Sequence, residues 1–313
     1  MEGIQFLPAK RVGEQAGLME TKGKKCRRFF PTFGPNQSPL LVLLLAIEWN
    51  VSPEIVQIGP LSLRWYGLLF ALGFLLGLFI VRRMFLAEKA PEEWLDKCFM
   101  YMVVGTVIGS RLGHVFFYDW DYYSQHLSEI PQVWKGGLAS HGGAMGIVIA
   151  LWIFSRQVSK KSILWILDKV AVPTALAGCF IRLGNLMNSE ILGKPADSDS
   201  AWAFIFTRVS NTPRYPAQLF EAIAYIISFG ILYYVYWNTD RKEKPGYMLG
   251  LFFVLVFGAR FYIEYFKASQ GGFETAFGNV LSTGQLLSIP FVLIGLFYMF
   301  RPNPTRHKLK PKA

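Results

Sequence analysis

Cysteine is scarce. The chain of 313 residues has three, Cys26, Cys98 and Cys179, with neither metal-ligand spacing nor the pattern of a disulfide framework. Cys179 has no adjacent base in sequence and reads as a small packed hydrophobe rather than a nucleophile. The histidines, His114, His126, His141 and His307, also lack ligand spacing, so no metal centre is expected. No Gly-x-Ser-x-Gly elbow or Ser-x-x-Lys dyad occurs, which leaves the chain without a recognisable nucleophile of its own. Charged residues amount to 17%, fewer than a soluble domain of this size usually carries. The longest polar stretch between apolar runs, 182–215, is too short for a core of its own.

What the chain has instead is apolar length. Hydrophobic residues make up 52%, gathered in runs at roughly 61–81, 98–118, 140–155, 163–181, 216–237, 247–266 and 285–300. Most reach or approach the ~20 residues needed to cross a bilayer; the run at 140–155 is short and Gly-rich, as suits a span buried against its neighbours. The pattern predicts an all-α integral membrane protein with about seven transmembrane helices and loop elements on the outer side. Residues 1–38 read as a basic extension, 39–301 as the seven-span domain and 302–313 as a basic tail.

The net charge is +11, and its distribution orients the bundle. Loops 82–97, 156–161 and 238–245 hold four, three and three Lys/Arg, and segment 301–313 adds five; the alternate loops 119–139, 182–215 and 267–284 hold one, four and one. The positive-inside rule places the first set and the C-terminus in the cytoplasm. The basic arm, with Lys10, Arg11, Lys22, Lys24, Lys25, Arg27 and Arg28, then falls outside, against the rule. Three explanations stand: the arm is tolerated there, it is a cytoplasmic start before a short segment at Leu40–Ile47, or it takes no part in the working protein. The last is favoured, because 40–47 is too short to span.

With this topology the polar residues share one depth. Tyr66 starts the first span, Arg111 and His114 end the second, and His141 opens the third within Gly136–Gly143. Arg182 and Asn185 end the fourth, Arg214 and Gln218 open the fifth, Arg260 and Glu264 lie in the outer part of the sixth, and Gln285 begins the seventh. At ~1.5 Å per residue Arg260 sits only about 10 Å inside the end of its span. Snorkelling side chains would populate both ends, and charge at a bilayer edge is costly without a partner or a task. Arginine offers a planar fork suited to phosphate oxygens. A histidine among glycines suits general-base work near neutral pH. A nucleophile supplied by the substrate fits better than one from the protein.

Packing readings stand beside these. Arg111 reads as an interfacial anchor and His114 as a packing group. Arg260 and Glu264, spaced i,i+4, either neutralise one another or hold Arg260 ready for an anion. Gly105, Gly109 and Gly113 form a helix-packing stripe, Asp168 and Lys169 read as structural, and Trp65, Trp120, Trp134 and Trp202 as an interfacial belt.

The ordered blocks carry a resemblance from about Gly59 to Arg301. They are Gly59-Pro60-Leu61 through Arg64-Trp65-Tyr66-Gly67, then Gly109-Ser110-Arg111-Leu112-Gly113-His114, then Gly136 to Gly143 with His141-Gly142-Gly143. There follow Arg182-Leu183-Gly184-Asn185 with Asn188, Glu190 and Gly193, then Arg214-Tyr215-Pro216-Ala217-Gln218-Leu219-Phe220-Glu221, Arg260-Phe261 with Glu264, and Gly284-Gln285-Leu286-Leu287-Ser288. Together they resemble the prolipoprotein diacylglyceryl transferase family of bacterial membrane enzymes; each block alone is unspecific and the series is highly specific. The N-terminal 38 residues have no counterpart in that pattern. Leu192 stands where many members have Trp, Ile181 where Gly usually precedes the signature arginine, and Lys267 where Arg is frequent. That lysine puts a bidentate phosphate contact there in doubt.

The resemblance implies transfer of diacylglyceryl from phosphatidylglycerol to the lipobox cysteine thiol of a lipoprotein precursor, with glycerol phosphate released, in the bacterial cytoplasmic (inner) membrane. The partners implied are phosphatidylglycerol, the prolipoprotein signal peptide with its lipobox cysteine, and the bilayer; no cofactor, metal or nucleic acid is expected. By resemblance His141 is the candidate base, with an arginine-centred activation of the thiol as the alternative. Arg182 and Arg260 would bind the phosphate and stabilise its charge as it leaves. Tyr66, Asn185, Glu190 and Glu264 would orient headgroup or arginines, and Gly193 would shape the loop. A secondary transporter or flippase for an anionic lipid or solute is the rival from another class, since broken Gly-rich spans and buried arginines occur there too. It would need an internal repeat, which is absent, and polar groups near the midplane. A non-catalytic assembly factor would not need Arg182, His141 and Arg260 at one depth.

Overall fold

In the computed structural model of the chain, residues 46–59, 61–197, 200, 202–268 and 281–302 are described. The basic extension 1–38, the apolar residues 40–45, and the tail from 303 onward lie outside the described residues, and Cys26 and His307 with them. Seven described helices are long and apolar enough to cross a membrane. They are α1 (Trp65–Ala87), α2 (Glu93–Phe117), α3 (Ser140–Phe154), α4 (Ile163–Met187), α5 (Ala217–Asn238), α6 (Tyr247–Ile263) and α7 (Thr283–Phe300). The protein is an all-α multi-pass membrane protein.

The boundaries depart from the apolar runs for local reasons. The first span begins at Trp65 rather than 61, because Leu61–Arg64 pairs as a strand. α2 begins at Glu93 rather than 98, with Glu93 and Asp96 in its first turn, where carboxylates complement the helix dipole. α3 alone is too short to span; a π turn, Ser155–Ser159, continues it, giving 20 residues in all. α6 runs on into a 3₁₀ turn, Glu264–Phe266.

Small β elements were not expected from the sequence. Strands β1 (Ile47–Trp49), β2 (Glu54–Ile58), β3 (Leu61–Arg64), β4 (Phe204–Phe206) and β5 (Pro213–Arg214) form a hairpin, β2–β3, and a three-stranded sheet in the order β1-β4-β5. β1 runs parallel to β4, with Ile47 opposite Phe204, and β4 antiparallel to β5. The Trp49 indole donates to the Leu186 carbonyl at 3.1 Å, which ties the sheet to the last turn of α4.

α4 is the central helix: 56% of its most apolar stretch is buried, against 22–39% in the other six. α1 and α5 pack along it, α6 pairs with α7, and α2 pairs with α3. The α2–α3 pair has bare backbone at its seam. A Cβ on Gly105 would lie 2.6 Å from the Gly146 carbonyl oxygen, and one on Gly113 would lie 2.6 Å from the Gly142 Cα. α6 and α7 meet likewise at Gly250 and Gly295. Between helices in lipid, such contact replaces the hydrophobic driving force that water would supply.

One end of the bundle is tied through Asp168 and Lys169, buried groups that the sequence marked as structural. Asp168 of α4 accepts from the backbone amides of Gly246 (2.6 Å) and Leu249 (2.9 Å), capping the start of α6 from a neighbouring helix. Glu88, just after α1, pairs with Lys169 of α4 at 2.9 Å and accepts from Trp165 (2.7 Å) and from Tyr236 of α5 (3.0 Å). Burial pushes the Glu88 carboxyl up, but Lys169 and these hydrogen bonds outweigh it and hold the group below the ordinary carboxylate range. The remaining described cysteines, Cys98 and Cys179, are free and buried in apolar clusters.

Two outcomes follow for stability in detergent. Gly109→Val forces a side chain against Gly146, whose Cα is 2.8 Å from a Cβ there. It will lower thermal unfolding by the equivalent of about 1–3 kcal/mol or more, whereas Gly230→Val, with no atom within 4 Å, will change it little. Because the Glu88 pKa is lowered on folding, its contribution is complete above the ordinary carboxylate range and is lost as pH falls through the native value. Glu88→Gln will therefore flatten the acid limb of the unfolding profile, and an unchanged limb would refute the role given to Glu88.

Candidate active site

The other end of the bundle gathers its charge around one carboxylate. Glu221 lies one turn into α5, with 1% of its side chain exposed. Arg182, on the last turns of α4, sets its Nε 2.7 Å from Glu221 Oε2. Lys267, just past the 3₁₀ turn after α6, sets its Nζ 3.7 Å from Glu221 Oε1 and 3.7 Å from Glu264 Oε2. Neither Glu221 oxygen accepts an aligned hydrogen bond, so the contact is held by charge more than by direction. From Arg182 the network continues outward. Its Nη1 donates to Asn185 Oδ1 (3.2 Å), Asn185 Nδ2 donates to Glu190 Oε1 (2.8 Å), and Asn188 Nδ2 donates to the same oxygen (3.1 Å). Gln218, also fully buried, donates to the Glu190 backbone carbonyl at 2.5 Å.

The loop that presents Glu190 is strained and tightly seated. Ser189 (φ 54°) and Ile191 (φ 58°) flank it in the left-handed region, each at a cost of order 1–3 kcal/mol that tends to collect at functional sites. Two residues on, Gly193 lies between two backbones. Its amide donates to the Tyr215 carbonyl (3.0 Å), it bridges Lys267 in antiparallel fashion, and Lys194 N donates to Phe266 O (2.8 Å). A Cβ on Gly193 would lie 2.7 Å from Phe266 O and closer still to Tyr215 O. Arg214 donates to the Gly193 carbonyl at 3.2 Å.

Two more expected residues meet glycines here. Tyr66 packs on Gly184 at the end of α4, where a Cβ would lie 2.7 Å from its ring. Glu264 rests on Gly284 of α7, where a Cβ would lie 2.5 Å from Oε2. Arg260 is half-buried one turn before Glu264, and no described residue forms an ion pair with it. Of the two readings of the i,i+4 spacing, mutual neutralisation is not what forms: Glu264 pairs with Lys267. Three cations, Arg182, Arg260 and Lys267, and three carboxylates, Glu221, Glu264 and Glu190, thus meet at this end, with Arg260 outside the ion pairs of the described residues. Burial, and then Arg182 and Arg260, push the Lys267 ammonium below its ordinary range, against the pull of both carboxylates. This end of the bundle is suited to an anion.

His141 stands apart from that group. It is exposed at the first turn of α3, its ring 5.3 Å from Phe117 and 5.6 Å from Tyr118 between centroids; among the described residues no hydrogen bond or ion pair joins it to Arg182 or Arg260. An apolar groove of about 710 Å³ runs along α2 and α3 from Tyr101 to Phe117, with Gly142 on its rim beside His141. Arg111 is saturated by the carbonyls of Glu129 (2.8 Å), Ile130 (2.8 Å) and Gly136 (2.7 Å), the work of a structural anchor. His114 pairs with Asp119 at 2.9 Å. Gln285 belongs to the capping box of α7 and donates to Phe261 O at 3.3 Å.

Sequence reasoning passed over the partners. Glu221 was only one letter of a motif, and Lys267 only a departure from one. The signal for Glu221 was present, since a carboxylate inside an apolar helix needs a counter-charge.

Glu221→Gln leaves two buried cations short of their counter-charge and will cost about 3–5 kcal/mol, read as thermal unfolding in detergent; the double change Arg182→Met/Glu221→Leu will recover part of it. Gly193→Ala will separate the 192–195 segment from Tyr215 and Phe266 and lower stability. If Gly193→Ala matches the unchanged protein in unfolding, the three-way backbone contact is not what requires glycine.

Comparison with known proteins agrees with these blocks. The family model described as prolipoprotein diacylglyceryl transferase matches residues 53–301. A phosphatidylglycerol–prolipoprotein diacylglyceryl transferase of Tolumonas auensis is 47% identical over 251 residues, 80% of this chain and 95% of the relative. Proteins of the same name from Chloroherpeton thalassium and Bacteroides fragilis are 48% and 43% identical, over 82% of this chain and 94% and 96% of their own lengths. A match of this extent, over a range that includes all seven helices, shows that the chain belongs to the prolipoprotein diacylglyceryl transferase family.

Proposed function

We propose that the protein transfers diacylglyceryl from phosphatidylglycerol to the lipobox cysteine thiol of a prolipoprotein. The observation that carries this is the buried charge cluster at one end of a membrane bundle, where Arg182 and Lys267 hold Glu221 and Arg260 stays outside the ion pairs of the described residues, in a chain whose relatives bear that name. A thiolate sulfur attacks the glycerol carbon that bears the phosphodiester. The S–C bond forms, the C–O bond breaks, and the electron pair leaves on the oxygen of glycerol phosphate. The thiol proton goes to His141, since a free thiol with pKa of about 8.5 is largely protonated at neutral pH. Arg182 and Arg260 hold the phosphate and take up its charge as it leaves. Asn185 and Glu190 fix the outer edge of Arg182, Tyr66 and Glu264 orient headgroup and cations, and Gly193 keeps the loop in register. Lys267, where an arginine is frequent, serves the cluster as a buried point charge rather than a bidentate clamp.

The distribution of basic loops supports a cytoplasmic C-terminus and a cluster toward the outer leaflet of the bacterial inner membrane. Residues 39–301 carry the reaction, and the basic segments 1–38 and 302–313 take no part in it.

The test is release of glycerol phosphate by purified protein in detergent with phosphatidylglycerol and a lipobox peptide. Release will require the peptide cysteine. His141→Ala will lower turnover about 10²–10⁴-fold and Arg182→Ala about 10²–10³-fold, and a chain lacking residues 1–38 will turn over at the full rate. Turnover of His141→Ala within tenfold would move thiol activation to the arginines. No release from folded protein, with lipid or solute movement in proteoliposomes instead, would replace the transferase by a transporter.

A further inference from the structure

We propose that the turn between α3 and α4 holds the headgroup of an anionic phospholipid, at the end of the bundle opposite the Arg182 cluster. A cavity of about 470 Å³ opens there, lined by Trp152, Ser155, Arg156, Lys160, Lys161 and Ser162, with no carboxylate in its wall. None of the three cations is in an ion pair among the described residues. Two backbone features make the turn more than a solvated basic loop. The π turn Ser155–Ser159 widens the end of α3, a distortion that recurs at functional sites. Lys160, in the left-handed region at φ 52°, folds its Nζ back onto the Arg156 carbonyl at 2.7 Å, which holds its charge at the cavity. On the far wall α4 begins. Its N-cap, Ser162, and first residue, Ile163, line the same cavity, which sets the positive end of the helix dipole there.

The occupant is a whole lipid rather than a free phosphate, because an apolar path leads away from the cavity. Trp152 is half-exposed, with the Arg156 guanidinium 6.0 Å from its ring, as suits a residue at the boundary of headgroups and hydrocarbon. One turn before Arg156 and on its side of the helix, Ile153 belongs to the apolar groove of about 710 Å³ along α2 and α3, whose wall continues through Ile149 and Met145. A phosphate in the basic cavity therefore has a surface for its acyl chains directly adjoining it. Basic pockets between helices at the cytoplasmic side recognise anionic headgroups in this way.

The proposal does not depend on the transfer reaction, and its test keeps that site the same in the proteins compared. Native mass spectrometry of the Arg182→Ala protein released from mixed micelles will show retention of phosphatidic acid over phosphatidylcholine of the same chains. R156Q/K160Q/K161Q in that background will weaken the retention about a hundredfold, and Lys161→Gln alone about fivefold. The single change, at an exposed position, carries the test if the triple variant does not fold. Equal retention by variant and parent overturns the site. Glycerol phosphate bound as tightly as the lipid overturns the assignment of a lipid.

Discussion

The polar end of this protein depends on the desolvated carboxylate of Glu221. A charge with 1% of its side chain exposed, inside a membrane-spanning helix, costs several kcal/mol unless opposite charge lies against it. Arg182 and Lys267 supply that charge from two other parts of the chain, the end of α4 and the segment after α6. The ion pairs therefore fix three segments at one level. They also set the direction of the Arg182 fork: its Nε is committed to α5, and its Nη1 is committed outward to Asn185. Arg260 is in no ion pair with any described residue, so it is the cation of the group that its own carboxylates leave open.

Backbone contact completes what the charges begin. Gly184, Gly193 and Gly284 each sit where a Cβ would collide with Tyr66, with two carbonyl oxygens, or with Glu264. The side chains of the site are close to one another because these three positions lack one. The strain at Ser189 and Ile191 belongs to the same economy of space. A loop that must run between Tyr215 and Phe266 and still turn Glu190 toward Asn185 has few relaxed conformations available, and the hydrogen bonds from Asn185, Asn188 and Gln218 hold it in a costly one.

Much of this was legible in the residues. Spans show as apolar runs because lipid imposes a minimum length and forbids unpaired polar backbone. Their ends were less legible: Glu93, Asp96 and Lys97 are charged yet helical, as α2 begins outside the apolar run, and Leu61–Leu63 are part of an apolar run yet pair as a strand. Arg182, Asn185 and Glu190 were legible because polar residues ending a span stand out. Their partners were harder to find, since a partner is a relation across the fold. The spacing of Arg260 and Glu264 suggested a pair along one helix, and the fold pairs Glu264 with a lysine beyond the helix end. Arg111 occupied the expected depth, but four carbonyl contacts commit it to holding the turn after α2.

His141 raises a mechanical question that the distribution of contacts answers. It rides on the α2–α3 pair, while the arginines ride on α4 and α6. The two groups of helices are joined through the apolar cluster of Val81, Phe85, Leu95, Cys98, Leu151, Phe154, Ile166 and Val170. Those residues lie toward the Glu88 end, so the position of His141 is set from far away. From Phe154 to Ser140 the helix rises about 20 Å, and over that length a tilt of about 3° displaces the ring by about 1 Å. A misplacement of that size can cost about 10²-fold in a reaction that depends on approach geometry. The bonds of Glu88 to Lys169, Trp165 and Tyr236 tie α1, α4 and α5 at that end, and α1 and α4 are the helices whose side chains meet α2 and α3 in the cluster. The close glycine seam of α2 and α3 makes that pair one unit, so under the proposed reaction the distance between His141 and the arginines is set by how this unit leans on α1 and α4.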